Sequence, residues 1–194
     1  VLIMQHTVLP DSNPKPRKRD ISYFRQFITD PRTTGSVIPS SDTLCRVMMN
    51  QVDWCDSLRV AELGAANGVL TKGILQRMRA DATLDAYEIN VGFARQLQTL
   101  DDRRLNVVAA SAEKLINPYD VIFSCLPLLS LPMRVVARIM QQIRQNLAPQ
   151  GTFIQFQYSP LSEKLLSRYF SWQRTVVFKN IPPALVYVCT PHKN

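Results

Sequence analysis

The chain has 194 residues, 46% of them hydrophobic, and a formal net charge of +8. That length suits one domain with a sizeable core, and no apolar run approaches the roughly 20 residues that cross a bilayer. Four cysteines (45, 55, 125 and 189) show no Cys-x-x-Cys spacing and only two histidines accompany them, which argues against a structural zinc and for free thiols in a reducing cytoplasm.

Val1–Leu9 is apolar but short and lacks a basic flank, so it does not read as a signal peptide. Pro10 to Pro16 holds three prolines and reads as an extended arm, and Lys15, Arg17, Lys18 and Arg19 form a basic cluster. Asp20 caps a predicted helix over Ile21–Thr29, stopped by Pro31. At helical spacing Ile21, Tyr23, Phe24, Phe27 and Ile28 share one arc about 160° wide. An aromatic-rich face beside a basic cluster is the composition of an interfacial membrane helix. Docking of the same face on its own domain is the other reading, since a nine-residue helix is marginal in water without a surface to pack on.

Leu58, Val60 and Leu63 make a short apolar strand that runs into Glu62-Leu-Gly64-Ala-Ala66-Asn-Gly68. A helical pattern follows at once, with Val69, Leu70, Ile74 and Leu75. Three of the six glycines (Gly64, Gly68 and Gly73) fall within ten residues. Glycine at such a turn lets a ligand approach the backbone closely, and the helix that follows points its free N–H groups at that ligand. The spacing departs from the dinucleotide fingerprint at Ala66 and Asn67.

Residues 82–89 form a second predicted strand with Glu88 at its tip, 24 residues after Gly64. An acid there accepts two hydrogen bonds from a ribose diol; the alternative is a solvated acid capping the helix that begins near Asn90. Further strands are predicted over Leu105–Ala109, Tyr119–Leu126 and Thr152–Tyr158, with a long helix over Leu131–Leu147 ended by Ala148-Pro149-Gln150-Gly151. Trp172–Phe178 and Ala184–Thr190 are joined by Asn180-Ile-Pro-Pro183 and read as an antiparallel edge hairpin. Strands alternating with helices imply an α/β fold with a mainly parallel, seven-stranded sheet. Its ligands belong at the carboxyl ends of the strands, where Glu62, Glu88, Ser111, Leu126 and Tyr158 lie.

The charge is uneven. Residues 1–35 carry six basic against three acidic residues, residues 36–120 nine against eleven, and residues 121–194 eight against Glu163 alone. Basic flanks around a near-neutral centre point to an anionic partner, either a nucleic acid or an acidic membrane surface.

Several segments carry a closer likeness: Phe24-Arg-Gln-Phe27, Pro31-Arg32 through Gly35 to Pro39-Ser40-Ser41, Glu62-Leu-Gly64, Glu88-Ile89-Asn90, Leu126-Pro-Leu-Leu-Ser-Leu-Pro132, Phe153-Ile-Gln-Phe-Gln-Tyr158 and Asn180-Ile-Pro-Pro183. From about residue 20 onward the chain resembles the soluble bacterial phospholipid N-methyltransferases, members of class I. The resemblance implies a single Rossmann-like domain with an N-terminal amphipathic helix. It also implies S-adenosylmethionine as donor and successive methylation of phosphatidylethanolamine toward phosphatidylcholine. It implies a cytoplasmic enzyme peripheral on the inner membrane face, with the anionic surface and the phospholipid as partners, no nucleic acid and no metal. The cofactor residues it implies are Glu62, Gly64, Ala66, Gly68, Glu88, Ile89, Ser111 and Ala112, with Ser40 and Ser41 from the preceding segment. Residues 1–19 are the basic arm, 20–50 the N-terminal helices and lid, and 51–194 the methyltransferase domain. Two positions depart from the family pattern: Ala66 stands where a second glycine is usual, and Ala110-Ser111-Ala112 replaces Gly-Asp-Ala.

Methyl transfer to an amine requires a neutral nitrogen in line with the S–CH₃ bond and shielded from water. Ser124-Cys-Leu126-Pro127 lies where the methyl emerges, with backbone carbonyls to cradle the ammonium product, and Tyr158 is a weak catalytic candidate that adds a hydroxyl or a cation–π face. An RNA adenine N-methyltransferase would suit the charge, but this loop has one proline and no aromatic to stack on a flipped base. A non-catalytic membrane-binding module, degraded at Ala66 and Ser111, is the other alternative.

Overall fold

The computed structural model describes residues 42–180 and 182–192. The predicted arm, the Ile21–Ile28 face, the basic cluster Lys15–Arg19, and Ser40 and Ser41 lie outside the described residues. Helix α1 (Asp42–Met49) leads into β1 (Arg59–Leu63), α2 (Val69–Arg77), β2 (Thr83–Tyr87), α3 (Val91–Gln98) and β3 (Leu105–Val108). A single 3₁₀ turn (Ala112–Lys114), β4 (Tyr119–Ser124), α4 (Met133–Asn146) and β5 (Leu147–Gln157) follow. A second 3₁₀ turn (Pro160–Ser162) and the short α5 (Glu163–Leu166) precede β6 (Phe170–Val177) and β7 (Ala184–Pro191).

The strands form one seven-stranded sheet in the order β3-β2-β1-β4-β5-β7-β6. The first five run parallel and β7 runs antiparallel to both its neighbours. The hairpin therefore does not simply extend the edge, because its second strand inserts between β5 and β6. Alternation along β1 splits the core. Val60, with Leu84, Val121 and Ile154, packs under α1 and α2 through Leu44, Met48, Leu70 and Ile74. Ala61 and Leu63, with Ile122 and Phe153, pack under α4 through Val136, Ile139, Met140 and Ile143. Each of the buried Val, Leu, Ile, Met and Phe side chains among them contributes about 1.5–3 kcal/mol.

Two local expectations are corrected. The Pro149 and Gly151 signals do not lie between elements. The helix ends at Asn146 and β5 begins directly at Leu147. The register against β4 jumps from Tyr119↔Leu147 to Val121↔Thr152, so the breakers sit in a bulge, where a proline and a tight backbone are tolerated. Gly73 belongs to α2 rather than to the turn: a Cβ there would fall 2.9 Å from Met49 Sδ, so this glycine lets α1 close on α2.

Candidate active site

The carboxyl end of β1 turns sharply into α2. Gly64 has φ +77° and Gly68 φ +80°, and Ala66 between them has φ +47°. Ala66 is thus held in the left-handed region that glycine occupies at little cost. An alanine in that conformation stores strain in the turn.

Glu88 holds that shape. Its Oε2 accepts from the Ala66 N–H at 2.8 Å and its Oε1 from the Asn90 N–H at 2.7 Å. It is buried at 3% exposure, which excludes the solvated-cap reading. Asn90 is the cap, accepting from the Gly92 and Phe93 N–H groups at 2.8 and 3.1 Å. Burial pushes the Glu88 pKa up, against the pull of the Asn90 and Ala66 N–H groups.

Glu62 is fully buried. Thr71, on the first turn of α2, donates to its Oε2 at 2.6 Å, and Oε1 has no partner. Burial pushes its pKa up to about 8, opposed by Thr71 and reinforced by the nearby charge of Glu88. A buried carboxylate with a bare oxygen calls for a cation. These residues fit S-adenosylmethionine. Glu62 would hold its cationic end, Glu88 the ribose hydroxyls, and the Gly64–Gly68 backbone would lie against it.

At the end of β3, Ser111 Oγ donates to Glu113 Oε2 at 3.1 Å and accepts from the Glu113 N–H at 3.2 Å. Glu113 in turn pairs with Arg138 at 3.2 Å. Ser111 is therefore engaged locally, with a carboxylate already beside it, and Ala112 next to it is buried. Ile89, 39% exposed, stands past the tip of β2.

The loop after β4 approaches the glycine turn. A Cβ on Gly64 would sit 2.9 Å from Leu126 Cδ2, and the Cys125 N–H donates to the Leu63 carbonyl at 3.0 Å. Ser124 is buried, and its Oγ accepts from the Leu126 N–H at 3.3 Å. The Leu126 carbonyl, expected to cradle the amine, is already occupied: Gln155 and Gln157 both donate to it at 3.0 Å. Tyr158 lies just past β5, edge-on to Phe156. Burial raises its pKa, and the Asn180 side chain counters part of that rise.

Sequence reasoning missed Thr71, Gln155 and Gln157. The signal for the glutamines was present: two polar residues spaced by two in Phe153-Ile-Gln-Phe-Gln157, hence on one face of a strand. Three buried side-chain polar atoms among the described residues lack a partner: Glu62 Oε1, Gln155 Oε1 and Ser162 Oγ. All lie toward or just beyond the carboxyl ends of β1 and β5, the two strands flanking β4. No helix among the described residues is long and apolar enough to cross a membrane, and none of their acidic, cysteine and histidine clusters suits a metal.

No protein-family profile matches the chain. An ornithine lipid N-methyltransferase of Singulisphaera acidiphila is 31% identical over 179 residues, which cover 86% of this chain and 93% of that relative. The chain belongs to this lipid N-methyltransferase family. Its fold is that of class I methyltransferases. The N-methyltransferase NodS of Bradyrhizobium japonicum WM9, solved with S-adenosyl-l-homocysteine, superimposes with TM-score 0.69 at 12% identity, covering 90% of this chain and 98% of that one. A 1,6-didemethyltoxoflavin-N1-methyltransferase of Burkholderia thailandensis gives TM-score 0.72 at 14% identity, covering 95% and 94%. For this lipid N-methyltransferase, the elements that carried the sequence resemblance, Glu62, the glycine turn and Glu88, meet within one stretch of backbone.

Proposed function

We propose that the protein transfers methyl groups from S-adenosylmethionine to the amine of a polar lipid headgroup at a membrane surface. The cofactor, when bound, supplies a methyl activated by its sulfonium. The protein's own task is to place a neutral amine in line with that methyl and to keep water out. The observation that carries this reading is the placement of the three unpartnered buried atoms. One is a carboxylate oxygen at β1, suited to the cofactor's positive charge. Two are neutral groups, Gln155 Oε1 on β5 and Ser162 Oγ after it, suited to a small polar head. No aromatic follows β4 to stack on a nucleobase.

Ornithine lipid, the lipid in the relative's name, is the first candidate acceptor, and phosphatidylethanolamine, expected from the sequence, is the second. The basic cluster Lys15–Arg19 and the apolar face at Ile21, Tyr23, Phe24, Phe27 and Ile28 would bring the enzyme to the inner face of an anionic membrane, each basic residue adding about 1 kcal/mol. The test is incubation of the full chain and methyl-labelled cofactor with vesicles containing ornithine lipid or phosphatidylethanolamine, and separately with RNA. Label in a lipid is expected. Label in RNA alone would overturn the reading.

A further inference from the structure

Gln155 is fully buried on β5, in register with Ser124 of β4 and Tyr187 of β7. Its amide head lies against the loop that follows β4. One amide hydrogen goes to the Leu126 carbonyl at 3.0 Å, and the nitrogen also donates to the Phe156 carbonyl at 2.8 Å. This fixes the orientation of the group, because exchanging its oxygen and nitrogen would set an acceptor against two acceptors. The Gln155 oxygen is therefore a committed acceptor, buried and without a donor. The adjacent Leu126 carbonyl cannot share its task, since both its lone pairs are met by Gln155 and Gln157. Such a group destabilises the protein unless a ligand brings the missing hydrogen.

We propose that Gln155 Oε1 receives an N–H of the acceptor amine during transfer, and that this contact favours the first two methyl transfers over a third. The proposal rests on the lipid N-methyltransferase reading. In each transfer the nitrogen lone pair forms an N–CH₃ bond as the S–CH₃ bond breaks. The sulfur keeps that electron pair as a neutral thioether, and the methylated nitrogen releases a proton to water. A neutral primary amine has two N–H bonds and a secondary amine one, so either can hold Gln155 while its lone pair points at the methyl. A neutral dimethylamine has none. Gln155 thus assists the first two transfers and gives nothing to a third.

The test is a competition assay with the full-length protein and vesicles carrying equal amounts of a primary-amine lipid and its N,N-dimethyl form, run with ornithine lipid and with phosphatidylethanolamine. Gln155→Met should lower the primary-to-dimethyl rate ratio about tenfold, the loss of one buried hydrogen bond in the transition state. Gln157→Met removes the other clamp on Leu126 but leaves the unpartnered Gln155 Oε1 in place, so it should leave the ratio unchanged. Gln155→Glu, protonated when buried, keeps both an O–H for Leu126 and an acceptor oxygen; it should preserve the ratio and serves if the methionine variant fails to fold. Equal ratios in wild type and Gln155→Met, equal shifts in the two methionine variants, or a collapsed ratio in Gln155→Glu would each overturn the proposal. A wild type that methylates neither lipid overturns the function itself, and this inference with it.

Discussion

Ala66 offers a direct measure of the strain in the cofactor turn. With φ +47°, it occupies a region that costs a residue bearing a Cβ about 1–2 kcal/mol relative to glycine. Ala66→Gly should relieve that cost. Glycine also gives the unfolded chain more freedom, which takes back about 0.4–1 kcal/mol. The net gain expected is about 0.5–1 kcal/mol, which for a chain of this size raises Tm by about 1–4 °C. The N–H that Ala66 gives to Glu88 at 2.8 Å is unaffected by the change. Differential scanning calorimetry of the wild type and the variant reads the effect. Ala65→Gly is the control: Ala65 is 4% exposed and is not among the described residues with positive φ, so this variant should lose about 0.5–1 kcal/mol or more. A Tm that falls in Ala66→Gly as it does in Ala65→Gly would show that the turn is not strained at Ala66.

Other expectations follow from the same site. Glu88→Gln should weaken S-adenosylmethionine binding by about 1–3 kcal/mol in titration calorimetry with the fold intact by circular dichroism, and unchanged affinity would remove Glu88 from the cofactor site. Glu62, with its pKa raised from 4.5 to about 8, binds more protons folded than unfolded between those values, so stability should fall as pH rises across that window. Pairing with the cofactor's cation should expel the proton, so cofactor affinity should rise with pH up to about 8. At pH 7 the binding heat should depend on the buffer's ionisation heat, and Glu62→Gln should abolish that dependence. Ser111→Asp would set a second carboxylate beside Glu113, whose Oε2 is 3.1 Å from the Ser111 hydroxyl, so alone it should not improve cofactor binding. Combined with Glu113→Gln it should, and no gain in the double variant would place Ser111 away from the adenine.

Features governed by local chemistry were legible in the sequence. The glycine turn announced itself because positive φ demands glycine at 64 and 68, while for Glu88 the sequence left a ligand role and a solvated cap both open until its burial excluded the cap. Strand β4 was legible as a run of consecutive apolar residues, whereas the cap, given to Glu88 in that second reading, is in fact Asn90. Features set by distant partners were not. The insertion of β7 between β5 and β6 depends on which edges pair, and no residue spacing records that. Pro149 and Gly151 read as breakers because the bulge that accommodates them exists only against β4. Gly73 joined the turn in sequence, but its neighbour Met49 comes from a helix some two dozen residues earlier. The occupancy of the Leu126 carbonyl likewise required two glutamines about thirty residues away to arrive at one oxygen.

The close approach of Gly64 to Leu126 has a thermodynamic consequence. The backbone against which the cofactor would lie and the loop proposed to face the acceptor approach each other at Gly64 and Leu126, so ordering one should constrain the other. Whichever ligand arrives first takes on part of the ordering entropy for both, and the second then binds to a surface already stilled. The coupling is reciprocal: a headgroup that tightens cofactor binding is itself bound more tightly once the cofactor is in place, by the same factor. A side chain at position 64 would displace the Leu126 side chain and strain the turn at φ +77°, and it should weaken that positive cooperativity.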